Sequence, residues 1–426
     1  MSPIKDHPLR YQLANELHAR PFPSQGAPSH AIYLAIKRSN GAAHRDRSAD
    51  HAHLNALLER HGVQSPPADA THFYGQIGRN QLKWESHSEF VTYTVFCNGL
   101  GARPFDPAAF EVFPSSWLSD APGERMTSAL IHIDMMPAND TLHQNLHNWF
   151  VPESLAVSHV LGQSATIAGD FRIDDAGHAR FAVFVEPGIG MRRIGRIVQR
   201  VCEVETYKTM AMLGFQRARG MQSRMNEIDG ELAGLLDDMC HEISSPDVTL
   251  KSLLKISSEL EKLLAQSTFR FGATKAYEAI VNQRIDILRE DRFEGRQTFA
   301  EFMMRRFDPA MRTVQSTKER LREMAARATR AGELLRTRVD VERSAQNQQL
   351  LESMNQRADR QLRLQKTVEG LSVVAISYYA VNLLTNVALP MATRLGIEKP
   401  WLMAGLTPLV IFGVWAIVRQ IRKSVF

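Results

Sequence analysis

Hydrophobic and polar positions change their spacing three times along this chain. Short runs with strand composition come first, and apolar residues at helical spacing follow. Next come a long stretch without proline and two runs without charged residues. The pattern predicts an α/β cytoplasmic head, a helical layer, a long stalk helix and a two-helix C-terminal transmembrane hairpin. The predicted boundaries are 1–190 for the head, 191–309 for the helical region, 310–370 for the stalk, and 371–426 for the hairpin with a short basic tail.

The predicted head alternates strands with helices. Runs rich in β-branched and aromatic residues indicate strands at 30–36, 71–77, 89–97 and 129–136. A further pair of strands forms a hairpin that turns at 175–177, where the sequence is Asp-Ala-Gly. Helices are predicted near 46–61 and 140–150. This mixture is typical of a mixed α/β domain.

The predicted stalk is rich in good helix formers. A continuous helix from about 310 to 389 would be on the order of 120 Å long. Apolar residues repeat every seven positions, at Val314, Leu321, Ala328 and Leu335, but the repeat is lost within ERSAQNQQ (342–349). The broken repeat predicts a helix that packs against its own domain and against copies of itself, and not a regular coiled coil.

The two charge-free runs cover residues 371–391 and 401–418. A helix of about 20 apolar residues crosses a bilayer core of about 30 Å. A pair of buried core helices is the alternative, but charge-free runs of this length favour a membrane. Because the link between the runs is short, the sequence predicts a hairpin.

Lysine and arginine residues set the predicted orientation. Four of them precede the first run at a spacing of three, namely Arg357, Arg360, Arg363 and Lys366. Basic residues also follow the second run at 419, 422 and 423, whereas the link has two. Both termini are therefore expected in the cytoplasm. The four residues are also candidates to contact anionic lipid headgroups, as an alternative to a simple topology signal.

Composition narrows the possible classes of function. The chain has 426 residues and three widely spaced cysteines, which give neither a disulfide framework nor a metal knuckle. Residues 310–370 hold 13 lysines and arginines and 8 acidic residues, so their net charge of +5 equals that of the whole chain. The basic charge thus belongs to the predicted stalk, and no nucleic-acid motif accompanies it. We predict no nucleic-acid partner.

Candidate chemistry is sparse. His143 and His147 have the i, i+4 spacing of a helical metal pair, but Gln144 replaces the glutamate of a zinc-protease motif. No phosphate-binding loop, nucleophile elbow or dinucleotide fingerprint is present. The sequence therefore predicts no catalytic residue and no cofactor, and leaves a divalent cation open.

A polar segment near the N-terminus reads HPLRYQLANELHARPF (7–22). Its leucines at 9, 13 and 17 stack on one helical face, which we expect to face a core. Another face carries Asn15 and His18, with Glu16 and Arg20 nearby. This cluster is predicted either to pin the helix to the head or to line a cavity.

The elements HPLR and NELHARPF, joined to the C-terminal hairpin, resemble a bacterial family of membrane-anchored proteins, domain of unknown function 3422. The resemblance covers essentially the whole chain. It implies a bacterial cytoplasmic (inner) membrane location and brings no established activity.

The order of head, stalk and two spans is also similar to CorA-type divalent-cation channels. That resemblance implies a pentamer whose first span lines the pore and carries Gly-Met-Asn after Tyr. Here the stretch from Tyr379 to Asn382 departs at Gly and Met, and it lies near mid-span. Asn382 and Asn386 share one face, where they need hydrogen-bond partners in lipid. With Tyr379 they are candidates for a helix contact or an ion path.

The sequence thus predicts a self-associating scaffold or regulatory assembly at the membrane. Its expected partners are the lipid bilayer and copies of the same chain. Two alternatives stay open: a CorA-like divalent-cation channel or transporter, and a membrane-tethered metal-dependent hydrolase.

Overall fold

The structure is a computed structural model that describes residues 4–11, 13–14, 22–39, 46–241 and 245–425. The strands are β1 Ser29–Lys37, β2 His72–Ile77, β3 Asn80–Ser86, β4 Phe90–Asn98, β5 Glu124–Met135, β6 Ala156–Val160, β7 Ala165–Ile173, β8 Ala179–Val185 and β9 Asp291–Arg292. The helices are α1 Arg47–Arg60, α2 Ser115–Ser119, α3 Asn139–Trp149, α4 Met191–His241, α5 Pro246–Leu288, α6 Phe299–Arg306, α7 Asp308–Arg394 and α8 Lys399–Val425, with a 3₁₀ helix at Pro107–Val112.

The strands form one sheet in the order β2-β3-β4-β1-β5-β8-β7-β6-β9. Strand β1 lies near its middle and pairs antiparallel with β4 and β5, whereas β5 and β8 run parallel. All residues from 31 to 37 are buried, because helices cover both faces of the sheet. The head is therefore a three-layer α/β/α arrangement.

Each face of the sheet has its own hydrophobic core. Helices α4, α5 and α6 cover one face, where Tyr33 and Phe181 contribute to the core. Helices α1 and α2 cover part of the other face, with Trp84 and Trp117 fully buried there. Helix α3 covers the remainder of that face around Phe184.

Helix α4 continues beyond the sheet into a helical bundle with α5 and the first part of α7. Met225, Leu260 and Leu321 are buried together in its core. The helices α4 and α5 approach closely at Gly214, where an added Cβ atom would lie 2.0 Å from Thr274 Oγ1. Only glycine therefore allows this approach.

The chain divides into two compact units, residues 1–244 with 251–332 and residues 245–250 with 333–426. The predicted order of α/β head, long helices and C-terminal apolar helices is confirmed. Three strands are additions to the sequence prediction, namely β3, β6 and the two-residue β9. The charged residues of β3 and the short length of β6 and β9 hid them from a composition-based search.

Candidate functional site

The C-terminal apolar helices have the clearest functional features. Two helical stretches, Phe299–Arg394 and Lys399–Gln420, contain segments long and apolar enough to cross a membrane, with mean hydropathies of 1.5 and 2.0. Only 17% and 0% of these segments is buried inside the chain. A core helix of a soluble domain would be mostly buried, so the exposed apolar side chains favour a lipid environment.

A polar stripe interrupts the apolar surface of the first of these segments. Tyr379 is 70% exposed, Asn382 is half-buried and Asn386 is exposed. Across the described part of the chain, neither asparagine side chain has a hydrogen-bond partner. Pro390 lies inside the same helix and has no N–H, so the carbonyl of Asn386 loses its usual helical donor. In a lipid environment, these amides and this carbonyl would need partners from another chain or from a polar path.

Several side chains of the two apolar helices are buried within the chain. Ser377, Val381 and Thr385 are buried at successive turns of α7, and Val410 of α8 is buried as well. The Thr385 hydroxyl donates to the carbonyl of Val381 at 2.7 Å within its own helix. Serine and threonine are among the residue types enriched where membrane helices pack against each other.

The four basic residues before the first apolar segment are all exposed: Arg357, Arg360, Arg363 and Lys366. The surrounding helix is exposed on every side from residue 340 to 368. In the second apolar helix, the guanidinium of Arg419 lies over the ring of Trp415, 5.0 Å from its centroid. Such cation–aromatic pairs suit a membrane–water boundary.

The apolar side chains of the seven-residue repeat in the predicted stalk pack within the chain itself. Val314, Leu321 and Ala328 are buried in the helical bundle with α4 and α5. These residues therefore already have an internal partner. Exposed apolar residues such as Val341, Leu351 and Met354 follow further along α7 and are available for another surface.

The two histidines predicted as a metal pair lie on α3. His143 Nε2 lies 2.9 Å from Glu294 Oε2, so an acidic residue joins one of them. Among the residues that the structure describes, no group of three or more histidines, cysteines, aspartates or glutamates is placed to hold a metal ion.

The N-terminal polar cluster, Asn15, Glu16, His18 and Arg20, lies outside the described residues. Two leucines of the same segment are described, and both are exposed: Leu9 by 46% and Leu13 by 62%. The expectation that these leucines face a core is therefore wrong for this structure. Their apolar face is uncovered by the described part of the chain.

A buried polar cavity lies between the sheet and α4, and the sequence analysis missed it. On the side of the sheet it is lined by Lys83 and Glu85 of β3 and by Thr94 of β4, and on the side of α4 by Gln199. Lys83 Nζ is 3.1 Å from Glu85 Oε2, but among the described residues it makes no well-directed hydrogen bond, and Gln199 Oε1 has no partner there either. The cavity measures about 20 Å³, which is room for about one water molecule.

A second buried polar group ties α5 to the sheet. Glu89, which is 1% exposed, accepts from both terminal nitrogens of Arg270 and from the hydroxyl of Tyr277 at 2.8 Å. Burial, together with the Glu89 charge, raises the pKa of the Tyr277 hydroxyl, so it stays protonated and donates. This group is structural, because its hydrogen-bonding capacity is met within the chain.

A family model described as "Protein of unknown function (DUF3422)" matches residues 5–425. Neither the curated proteins nor the solved structures contain a match to the chain.

Proposed function

The chain belongs to the family described as "Protein of unknown function (DUF3422)", and from its own structure we propose that it is a membrane-anchored scaffold that self-associates. The hairpin of α8 and the apolar part of α7 would anchor it in the cytoplasmic membrane of a bacterium. The head would lie on the cytoplasmic side. Copies of the chain would meet through α7.

The observation that carries the anchor is the exposure of the apolar side chains in both C-terminal helices. Burying apolar surface contributes roughly 25 cal/mol per Å², so a bilayer would stabilise this hairpin strongly. The exposed basic residues at 357–366 precede the first span, and Arg419 follows the second. This distribution supports cytoplasmic termini, and it supports contact with anionic headgroups at the same boundary.

Two features of α7 support self-association. Residues 340–368 are exposed on every side, yet helices in proteins owe most of their stability to packing of an apolar face. Further along, the side chains of Asn382 and Asn386 have no hydrogen-bond partner among the residues that the structure describes. An asparagine side chain both donates and accepts, so the same stripe on a second copy would satisfy it.

The anchor and its orientation are tested in spheroplasts. The chain should stay in the membrane after carbonate extraction. A membrane-impermeant maleimide should label Glu398→Cys in the link from outside. It should label Cys240, which is exposed, only after permeabilisation. Release by carbonate, or labelling of Cys240 in intact spheroplasts, would refute the anchor or the orientation respectively.

Self-association is tested by measuring the mass of the full chain in nanodiscs. We expect more than one copy per particle, and we expect Asn382→Leu with Asn386→Leu to shift the population toward one copy. Thr393→Val is the matched control, since its hydroxyl already bonds to the carbonyl of Leu389 at 2.9 Å. A strict monomer for the unchanged protein contradicts self-association.

A divalent-cation channel is the second candidate, and the polar stripe at Tyr379, Asn382 and Asn386 favours it. In a ring of copies, this stripe would line a central path. Proteoliposomes with Mg²⁺ outside and an indicator inside test the idea. A channel requires flux that Asn382→Ala reduces while Thr393→Val does not. Oligomers that show no Mg²⁺ flux would contradict the channel and would favour the scaffold.

A further inference from the structure

A second cavity lies on the face of the sheet that α1 and α2 cover. Its walls are the apolar side chains of Leu34, Ile36, Phe110, Leu118 and Ala121. The cavity measures about 180 Å³ and is open to solvent. An apolar cavity of roughly 150 Å³ is already large enough to hold a benzene ring. The space therefore suits a small ring or a short hydrocarbon chain.

The rim of the cavity carries one charged group, Arg125 at the start of β5. Its side chain is exposed, and no carboxylate in the described part of the chain pairs with it. The guanidinium lies against the turn at Gly177, where an added Cβ atom would come within 2.6 Å of Arg125 Nη2. An unpaired guanidinium beside an apolar cavity is suited to a planar carboxylate, which it can bind through two hydrogen bonds.

Fixed elements hold the walls of the cavity. Leu34 and Ile36 belong to β1, which pairs on both sides. Leu118 follows Trp117, whose indole Nε1 donates to the carbonyl of His53 at 2.7 Å, while His53 Nε2 lies 2.9 Å from the Trp117 carbonyl. The cavity is thus preorganised, which lowers the entropic cost of binding.

We propose that this cavity, with Arg125 at its rim, binds a small monocarboxylate that carries an aromatic ring or a short hydrocarbon chain. The apolar part of the ligand would lie against the five wall residues, and its carboxylate would pair with Arg125. This site lies entirely within the head. It depends neither on the membrane nor on self-association.

The probe for the experiment is 4-fluorobenzoate, observed by ¹⁹F NMR with the full chain in phosphatidylcholine nanodiscs. A ligand of this size should bind with a Kd on the order of 0.1–1 mM. Arg125→Gln should weaken binding about tenfold, because it removes one charge-assisted pair at an exposed position. Arg79→Gln, another exposed arginine, is the matched control and should change nothing. The neutral analogue 4-fluorobenzamide should bind equally to the protein with and without Arg125.

Ala121→Leu tests the cavity itself by filling it from a loop, and should abolish binding of both probes. Arg125→Gln alters an exposed side chain and leaves the fold intact. The comparison of Arg125→Gln with the unchanged protein therefore still tests the proposal if Ala121→Leu fails to fold. The proposal is overturned if 4-fluorobenzoate does not bind below 10 mM, roughly ten times the weakest expected Kd. It is also overturned if binding survives in a folded Ala121→Leu variant, or if Arg125→Gln binds as tightly as the unchanged protein.

Discussion

Removing the charge of Glu89 should loosen α5 from the sheet. Glu89 is 1% exposed, and it accepts hydrogen bonds from Arg270 and Tyr277, both on α5. Glu89→Gln keeps the size of the side chain but leaves the guanidinium of Arg270 without its counter-charge. The side chain of Arg270 is 16% exposed, so water compensates only in part.

The expected magnitude follows from this burial. Breaking a buried ion pair by removing one partner costs about 3–5 kcal/mol, and the partial exposure of Arg270 places the cost at the low end, about 3 kcal/mol. Tyr277→Phe removes one hydrogen bond to a charged acceptor and should cost about 1.5 kcal/mol. Replacing both charges, as in Glu89→Leu with Arg270→Leu, should cost less than Glu89→Gln alone, because no unpaired charge remains.

Native-state hydrogen exchange of the full chain in nanodiscs measures these losses of stability in α5 itself. Amides of α5 should exchange about 100-fold faster in Glu89→Gln and about tenfold faster in Tyr277→Phe. Amides of α3, which does not contact this group, serve as the internal control. An acceleration below threefold in Glu89→Gln, or a double variant that costs as much as Glu89→Gln, would refute the reasoning.

Three further predictions concern the same head. Gly214→Ala should destabilise the protein by about 1–3 kcal/mol in thermal unfolding, because its Cβ would collide with Thr274. Gly220→Ala in the same helix meets no atom within 4 Å and should stabilise by up to about 1 kcal/mol; equal effects would contradict the close approach. Under native conditions a maleimide should label only Cys240, since the other two cysteines are buried and burial raises the pKa of their thiols; a second labelled thiol would contradict this burial. Burial lowers the pKa of His53, so its contribution to the free energy of unfolding is complete above pH of about 6.5 and is lost as the pH falls below that value. The melting temperature is measured at pH 7.5 and pH 5.5, two values chosen on either side of the ordinary pKa of about 6.5. Between them it should fall less in His53→Phe than in the unchanged protein. An equal fall would contradict the role given to His53.

Much of the fold follows from local patterns that one sequence displays. Runs such as HAIYLAI lie on a strand with both faces covered, so their apolar character is continuous and easily recognised. The helical region is predicted at 191–309, and the structure places α4 at Met191–His241 and α5 at Pro246–Leu288 within that range. Proline and aspartate stand at the start of α5, and because their preference for helix starts is local, one sequence is enough to display it.

The buried polar groups could not be predicted in the same way. Strand β3 alternates Leu82 and Trp84 with Lys83 and Glu85, a pattern typical of a strand with one face in water. Helix α4 covers that face, and its position depends on residues more than 100 positions away. Glu89 is also far in sequence from its partners on α5, Arg270 and Tyr277. Contacts of this kind depend on tertiary packing, which local spacing does not encode.

Strand β9 is synthesised long after the strand with which it pairs. Strand β6 ends at Val160, and the residues that pair with its free side belong to β9, which begins at Asp291. A ribosome adding about 5–20 residues per second would need roughly 7–26 s to reach them. During that interval the nascent head has an open edge that can pair with a neighbouring chain on the same messenger. Chains truncated before Asp291 should therefore aggregate, whereas those that extend through β9 close the edge themselves.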